Sequence, residues 1–165
     1  MATVSGKTVA AHRQGAKDRR RIMPITFSID MRASLIRTIG SEDVTLPEID
    51  GHFNELSQVW PRGAKLDVLL DLSECTALPE IRQLQAAASR IQVFGGRKRF
   101  GVCAIVARRE LLYGLMRVFE LFAERTFVAI RVFRNEPSAM VWLRKRHRRS
   151  SRKPRDARMS ASGPA

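Results

Sequence analysis

Two hydrophobic periods alternate along the middle of the chain. Ile25, Phe27 and Ile29 interleave with Thr26, Ser28 and Asp30, the period of two that a half-buried strand requires. Residues 31–33 can turn, and Leu35, Ile36 and Ile39 predict a second strand ending at Gly40, so the pair reads as a hairpin. Thr45-Leu46-Pro47-Glu48 then opens a helix, with Thr45 as cap, Pro47 in the first turn and Glu48 completing a capping box. Ile49, Phe53, Leu56 and Val59/Trp60 follow at helical spacing, and Trp60-Pro61-Arg62-Gly63 stops it.

Val68-Leu69-Leu70-Asp71-Leu72 is a continuous apolar run, as in a strand covered on both faces. A loop is expected over 73–78, then a helix from Pro79-Glu80 with Ile81, Leu84, Ala88 and Ile91 on one face and Gly95-Gly96 as its stop. The run 100–107 predicts a central strand. Residues 109–125 predict an amphipathic helix striped by Leu112, Leu115, Met116, Phe119, Phe122 and Ala123. Over 127–133, Val128, Ile130 and Val132 should face away from Phe127, Ala129 and Phe133. A last helix is expected over 136–146, carrying Ala139, Met140, Trp142 and Leu143.

The predicted order is β-β-α-β-α-β-α-β-α, an α/β domain with a mixed, mostly parallel sheet and right-handed crossovers. TLPEI at 45–49 and ALPEI at 77–81 repeat a helix start, but no longer repeat follows, which excludes a solenoid.

Charge divides the chain differently. The net charge is +14 over 165 residues, yet residues 1–22 hold +5, residues 144–165 hold +8, and residues 23–143 only +1. The neutral stretch also contains every Phe, Trp and Tyr. The expected organisation is a basic disordered leader at 1–22, one domain at 23–146 and a basic disordered tail at 147–165. The leader has no apolar segment behind its charges, so it is not a secretory signal. An organellar leader and a start at Met23 stay open. No apolar run reaches the roughly 18–20 residues that cross a bilayer.

Chemistry is sparse. Cys75 and Cys103 form no CxxC and pair with no His, which argues against a metal site or a disulfide framework and for a reducing cytoplasm. His12, His52 and His147 lie too far apart for a dyad, and no catalytic or phosphate-loop motif is present. No catalytic residue and no cofactor is expected. His52 reads as a helix residue, Cys103 as a core thiol and Cys75 as a loop cysteine at the carboxyl end of a strand, where α/β proteins place their sites.

The strand VLLDLS (68–73), the loop ECTAL (74–78) and the helix at Pro79 resemble the STAS-type domains, the group that includes anti-sigma-factor antagonists. GRKRFGVCAIVA (96–107), YGLMRVFELFAE (113–124) and AIRVFRNEPSAMVWL (129–143) look like its stage II sporulation protein AA-like branch. The resemblance implies a non-enzymatic regulatory domain that acts by docking a protein partner; whether the chain also forms a homodimer stays open. In the switching members a Ser or Thr at the start of the helix after this strand is phosphorylated. Here that position reads Ala77-Leu78-Pro79, and only Ser73 and Thr76 are near.

The expected docking or anion site is therefore Ser73, Cys75, Thr76, Arg108 and Arg109, the last two placed where a strand gives way to a helix. The expected nucleic-acid or anionic-surface residues are Arg144, Lys145, Arg146, Arg148, Arg149, Arg152 and Lys153. Aromatics for base stacking are missing, so any such binding should be weak, salt-sensitive and confined to the basic ends. The other readings are a nucleic-acid-associated protein whose core is a scaffold, and a small-ligand or lipid-binding module.

Overall fold

The computed structural model describes residues 24–151. The expected leader, His12, Arg152 and Lys153 lie outside them. The elements are β1 (Ile25–Asp30), β2 (Leu35–Glu42), α1 (Leu46–Val59), β3 (Lys65–Cys75), α2 (Ile81–Arg97), β4 (Arg99–Val106), α3 (Glu110–Ala123), β5 (Ala129–Phe133) and α4 (Glu136–Ser151). This is the predicted α/β order. The strands form one sheet in sequence order, β1-β2-β3-β4-β5, with β1 antiparallel to β2 and the other pairs parallel.

Sequential strand order has a consequence for the helices. Each right-handed crossover adds a strand on the same side, so α1, α2 and α3 all land on one face. Leu56, Leu84, Met116 and Phe119 build the main core there with Ile36, Cys103, Ile105 and Val132. No strand follows α4, so it is free to cover the other face. There Ala139 and Leu143 meet Leu69, Val102, Ala104 and Val106.

Local signals act as expected at several starts. The Glu48 carboxylate accepts from the Thr45 amide at 2.7 Å and the Thr45 hydroxyl at 2.8 Å. Asp30 accepts from the amides of Arg32 and Ala33 at 2.9 and 3.1 Å, closing the first turn.

Several boundaries depart from the sequence reading. β2 runs two residues past Gly40, and β3 continues to Cys75, so Ser73 and Cys75 belong to a strand and not to a loop. The reason is the longer ladder: Ser41 pairs with Glu74 and Glu42 with Cys75. Gly95 and Gly96 do not stop α2, which ends at Arg97. A Cβ on Gly95 would lie 2.9 Å from Thr126 Cγ2 and 3.2 Å from Phe100, so this glycine is there for close approach. β3 takes the centre of the sheet, with β4 beside it.

Phe122 is exposed, outside the buried stripe of α3. β5 starts only at Ala129. Phe127 precedes the ladder and turns into the main core against Phe100, whose ring centroid is 5.0 Å away, on the same side as Val132. α4 extends to Ser151 and not to 146, so residues 147–151 are helical.

Candidate functional site

The carboxyl ends of β2, β3 and β4 meet the starts of α1, α2 and α3 at one edge of the sheet, where sequence placed the site. Below that edge an apolar cavity of about 200 Å³ enters the main core. Its walls come from the sheet (Ile36, Val68, Leu70), from α1 (Phe53) and from α2 (Leu84, Ala87). Close-packed interiors leave few voids larger than a water, so a space of this size is a feature of the fold.

Strand irregularities aim side chains into it. Between Ile39/Ser41 on β2 and Asp71/Glu74 on β3 the register gains one residue on β3. The extra residue reverses the alternation. Cys75 consequently joins the core side with Leu70 and Leu72. Its thiol is pushed up to about 11, mainly by burial and then by the Asp71 and Asp43 carboxylates. That is the opposite of the thiolate a reactive cysteine needs. Cys103 is fully buried and its thiol is also pushed up, again mainly by burial.

The other predicted residues occupy different places around this edge. Ser73 donates its amide to Asp71 Oδ1 at 2.9 Å, and its hydroxyl oxygen is buried. Thr76 is exposed and donates its amide to the Glu42 carbonyl at 3.2 Å. Glu42 itself has φ +56°, a left-handed backbone conformation uncommon outside glycine. Arg109, the N-cap of α3, donates to the Cys75 carbonyl at 3.4 Å and to the Thr76 carbonyl. Its guanidinium thus spans from α3 to the end of β3. Arg108 is exposed and makes no hydrogen bond or ion pair among the described residues. The structure therefore brings Cys75, Thr76 and Arg109 together, buries the Ser73 hydroxyl, and leaves Arg108 outward.

His52 lines the cavity from α1. Its ring packs edge-on against Phe27 at 5.2 Å and tilted against Phe53 at 5.3 Å. Nδ1 is buried with no hydrogen-bond partner, and burial lowers the ring's pKa to about 4. It is therefore neutral at pH 7.

Sequence reasoning missed Asp67. It is 9 % exposed inside an apolar strand, its Oδ1 accepts from the Val102 amide at 2.8 Å, and Oδ2 lies 3.0 Å from His147 Nδ1 on α4. His147 is thus part of the folded helix, not of a tail. The only cue in sequence was a carboxylate interrupting the run KLDVLLDL. Arg144, Lys145, Arg146 and Arg148 are exposed on α4, and Arg149 lies in the same helix.

The backbone arrangement matches a crystal structure from Shewanella loihica, an uncharacterized protein of the DUF3478 family described as having a SpoIIAA-like fold. The likeness has a TM-score of 0.53 and covers 72 % of this chain and 91 % of that one at 17 % identity. The chain has a SpoIIAA-like fold. That bears out the STAS-type resemblance at the level of architecture. No protein-family model matches the sequence, and no curated protein matches it. Among the described residues, no helix of this SpoIIAA-like domain is long and apolar enough to cross a membrane.

Proposed function

We propose that this domain is a non-catalytic regulatory module that binds a small apolar molecule in the cavity between the sheet and helices α1 and α2. The observation that carries the reading is the cavity of about 200 Å³ with its mostly apolar wall. A dry engineered cavity of about 150 Å³ already takes up benzene. This space suits a short acyl segment or a compact ring system, and it is too small and too apolar for a nucleotide. The groups around it favour binding over chemistry. His52 is neutral and wedged between rings, and the Cys75 thiol is held protonated.

Native mass spectrometry of the purified full-length protein, followed by solvent extraction, should reveal an apolar adduct of low mass. Ala87→Leu places three more carbons in the cavity wall. It should abolish the adduct and raise the melting temperature by a few degrees, since cavity filling commonly adds about 0.5–2 kcal/mol. An unchanged adduct on Ala87→Leu, or none in the parent protein under any extraction, defeats the proposal.

A second reading, docking of a protein partner, draws on the segment that closes the cavity. Leu78 and Ile81 are 40 % and 44 % exposed beside the outward Arg108 edge. The apolar pair would supply area and Arg108 would select an acidic partner. Arg108→Glu should weaken capture of such a partner at least tenfold in a pull-down while shifting the melting point by no more than a degree or two, because exposed substitutions cost about 0.5 kcal/mol or less. Arg109→Glu should cost stability as well, because its guanidinium holds the β3–α2 backbone. Equal capture by Arg108→Glu removes that residue from the surface.

A further inference from the structure

A second concavity runs along the edge strand β5 and is chemically unlike the first. It is an open groove of about 420 Å³, lined by Tyr113 and Arg117 of α3, Arg131 and Phe133 of β5, and Arg134 just beyond. Cations and rings meet in it and on α4 beside it. The Arg134 guanidinium lies 4.0 Å from the Tyr113 ring centroid, Arg131 lies 5.7 Å from Phe133, and Arg146 lies 5.6 Å from Trp142. The Phe133 and Trp142 rings are 5.6 Å apart, which joins β5 and α4 into one surface. Lys145 follows Trp142 by three residues and so shares its side of the helix.

The charge on this surface is only partly cancelled. Glu110 binds Arg134 through both carboxylate oxygens, at 2.6 and 2.9 Å, and Glu120 binds Arg117 at 2.6 Å. Arg131, Lys145 and Arg146 are exposed and paired with no carboxylate among the described residues. Arg148, exposed further along α4, adds to the positive charge of this helix.

We infer that the β5 edge binds single-stranded nucleic acid, with Arg131, Lys145 and Arg146 on the phosphates and the Phe133 and Trp142 rings beside the bases. Phosphates need repeated cations, and unpaired bases need flat apolar faces between them; the surface of β5 and α4 supplies both at neighbouring positions. A duplex hides its base faces and would leave the rings idle. An anionic membrane calls for cations with a free apolar side to insert, and the apolar side of α4 is already spent on the sheet through Ala139 and Leu143. An acidic peptide would use the cations alone. No aromatic lies within the basic run 144–155, but folding sets Phe133 beside Trp142, just before the basic end of α4.

The test uses the full-length protein with a fluorescein-labelled oligouridylate of about 12 nucleotides. A duplex of equal length, phosphatidylglycerol vesicles and polyglutamate serve as comparison polyanions. Single-stranded RNA should bind at least fivefold more tightly than the duplex. It should also quench tryptophan emission, and Trp60→Phe should leave that quenching intact because Trp60 is buried. Trp142→Leu should weaken single-strand binding about tenfold and leave vesicle binding unchanged.

Arg131→Gln with Arg146→Gln changes only exposed side chains. It should lower affinity about tenfold and reduce the slope of log affinity against log salt by about 1.4, the share of two phosphate contacts to a single strand. Duplex binding as tight as single-strand binding, an unaltered affinity in the double arginine variant, or equal binding to vesicles or polyglutamate without quenching would each overturn the inference.

Discussion

Gly101→Ala should lower the stability of the domain by about 3 kcal/mol and its melting temperature by about 10 °C. A Cβ at this position would lie 1.9 Å from Asp67 Oδ1 and 3.1 Å from its Cγ, so the carboxylate must leave. Leaving breaks the bond from the Val102 amide and the contact to His147. The bond sits where the β3–β4 register gains a residue on β4, between Phe100 and Cys103. Asp67 thus takes up an amide that the irregular ladder would strand, and a buried donor left unpaired costs about 1–3 kcal/mol.

Asp67→Ala should cost about 2–3 kcal/mol for the same reason. The double variant should be less damaged than the two costs combined, by at least about 1 kcal/mol, because the added methyl then occupies space the carboxylate has vacated. Urea titrations of the four proteins measure all of this. Full additivity, or a Gly101→Ala protein as stable as the parent, would show that the carboxylate and the glycine are not coupled.

Stability should also fall steeply in mild acid, and His52 is the cause. Its pKa is about 4 when folded, against 6.5 for the free side chain. Between these values the unfolded chain takes up a proton that the folded chain refuses. Unfolding is therefore favoured progressively as pH drops from about 6.5 to about 4, and the loss levels off below that. Its ceiling is on the order of 3 kcal/mol, since each pKa unit is worth about 1.4 kcal/mol. Above pH 7 the ring is neutral in both states and adds no pH dependence.

His52→Phe keeps the ring against Phe27 and Phe53 and has nothing to protonate. It should flatten the stability curve across that window and match or exceed the parent at pH 7, because it removes a buried nitrogen that lacks a partner. Urea midpoints measured at pH 4.5, 5.5 and 7.5 decide it. A parallel fall in the variant would assign the acid sensitivity to other groups.

The sequence on its own determined the elements and their order. Alternation marked β1, continuous apolar runs marked β3 and β4, and Thr45 with Glu48 marked the start of α1, because these signals depend on neighbours a few residues away. Ends of elements were less legible. β3 persists through Ser73 to Cys75 because β2 offers it a partner that no local pattern announces. Gly95 is a close-approach glycine inside α2 and not its stop, because Thr126 and Phe100 from elsewhere in the chain leave no room for a Cβ there.

The sites depended on tertiary structure most of all. A loop cysteine in sequence became a buried wall of the cavity once one extra residue in β3 reversed the side it faces. Arg109, read as an anion binder, turned its guanidinium to backbone carbonyls. His147, read as tail, met a carboxylate 80 residues earlier. Phe133 of β5 came to lie beside Trp142, just before the basic end of α4. Periodicity records which face a residue prefers; which groups then share that face is set by strand order, register and crossover hand, and those exist only in the folded chain.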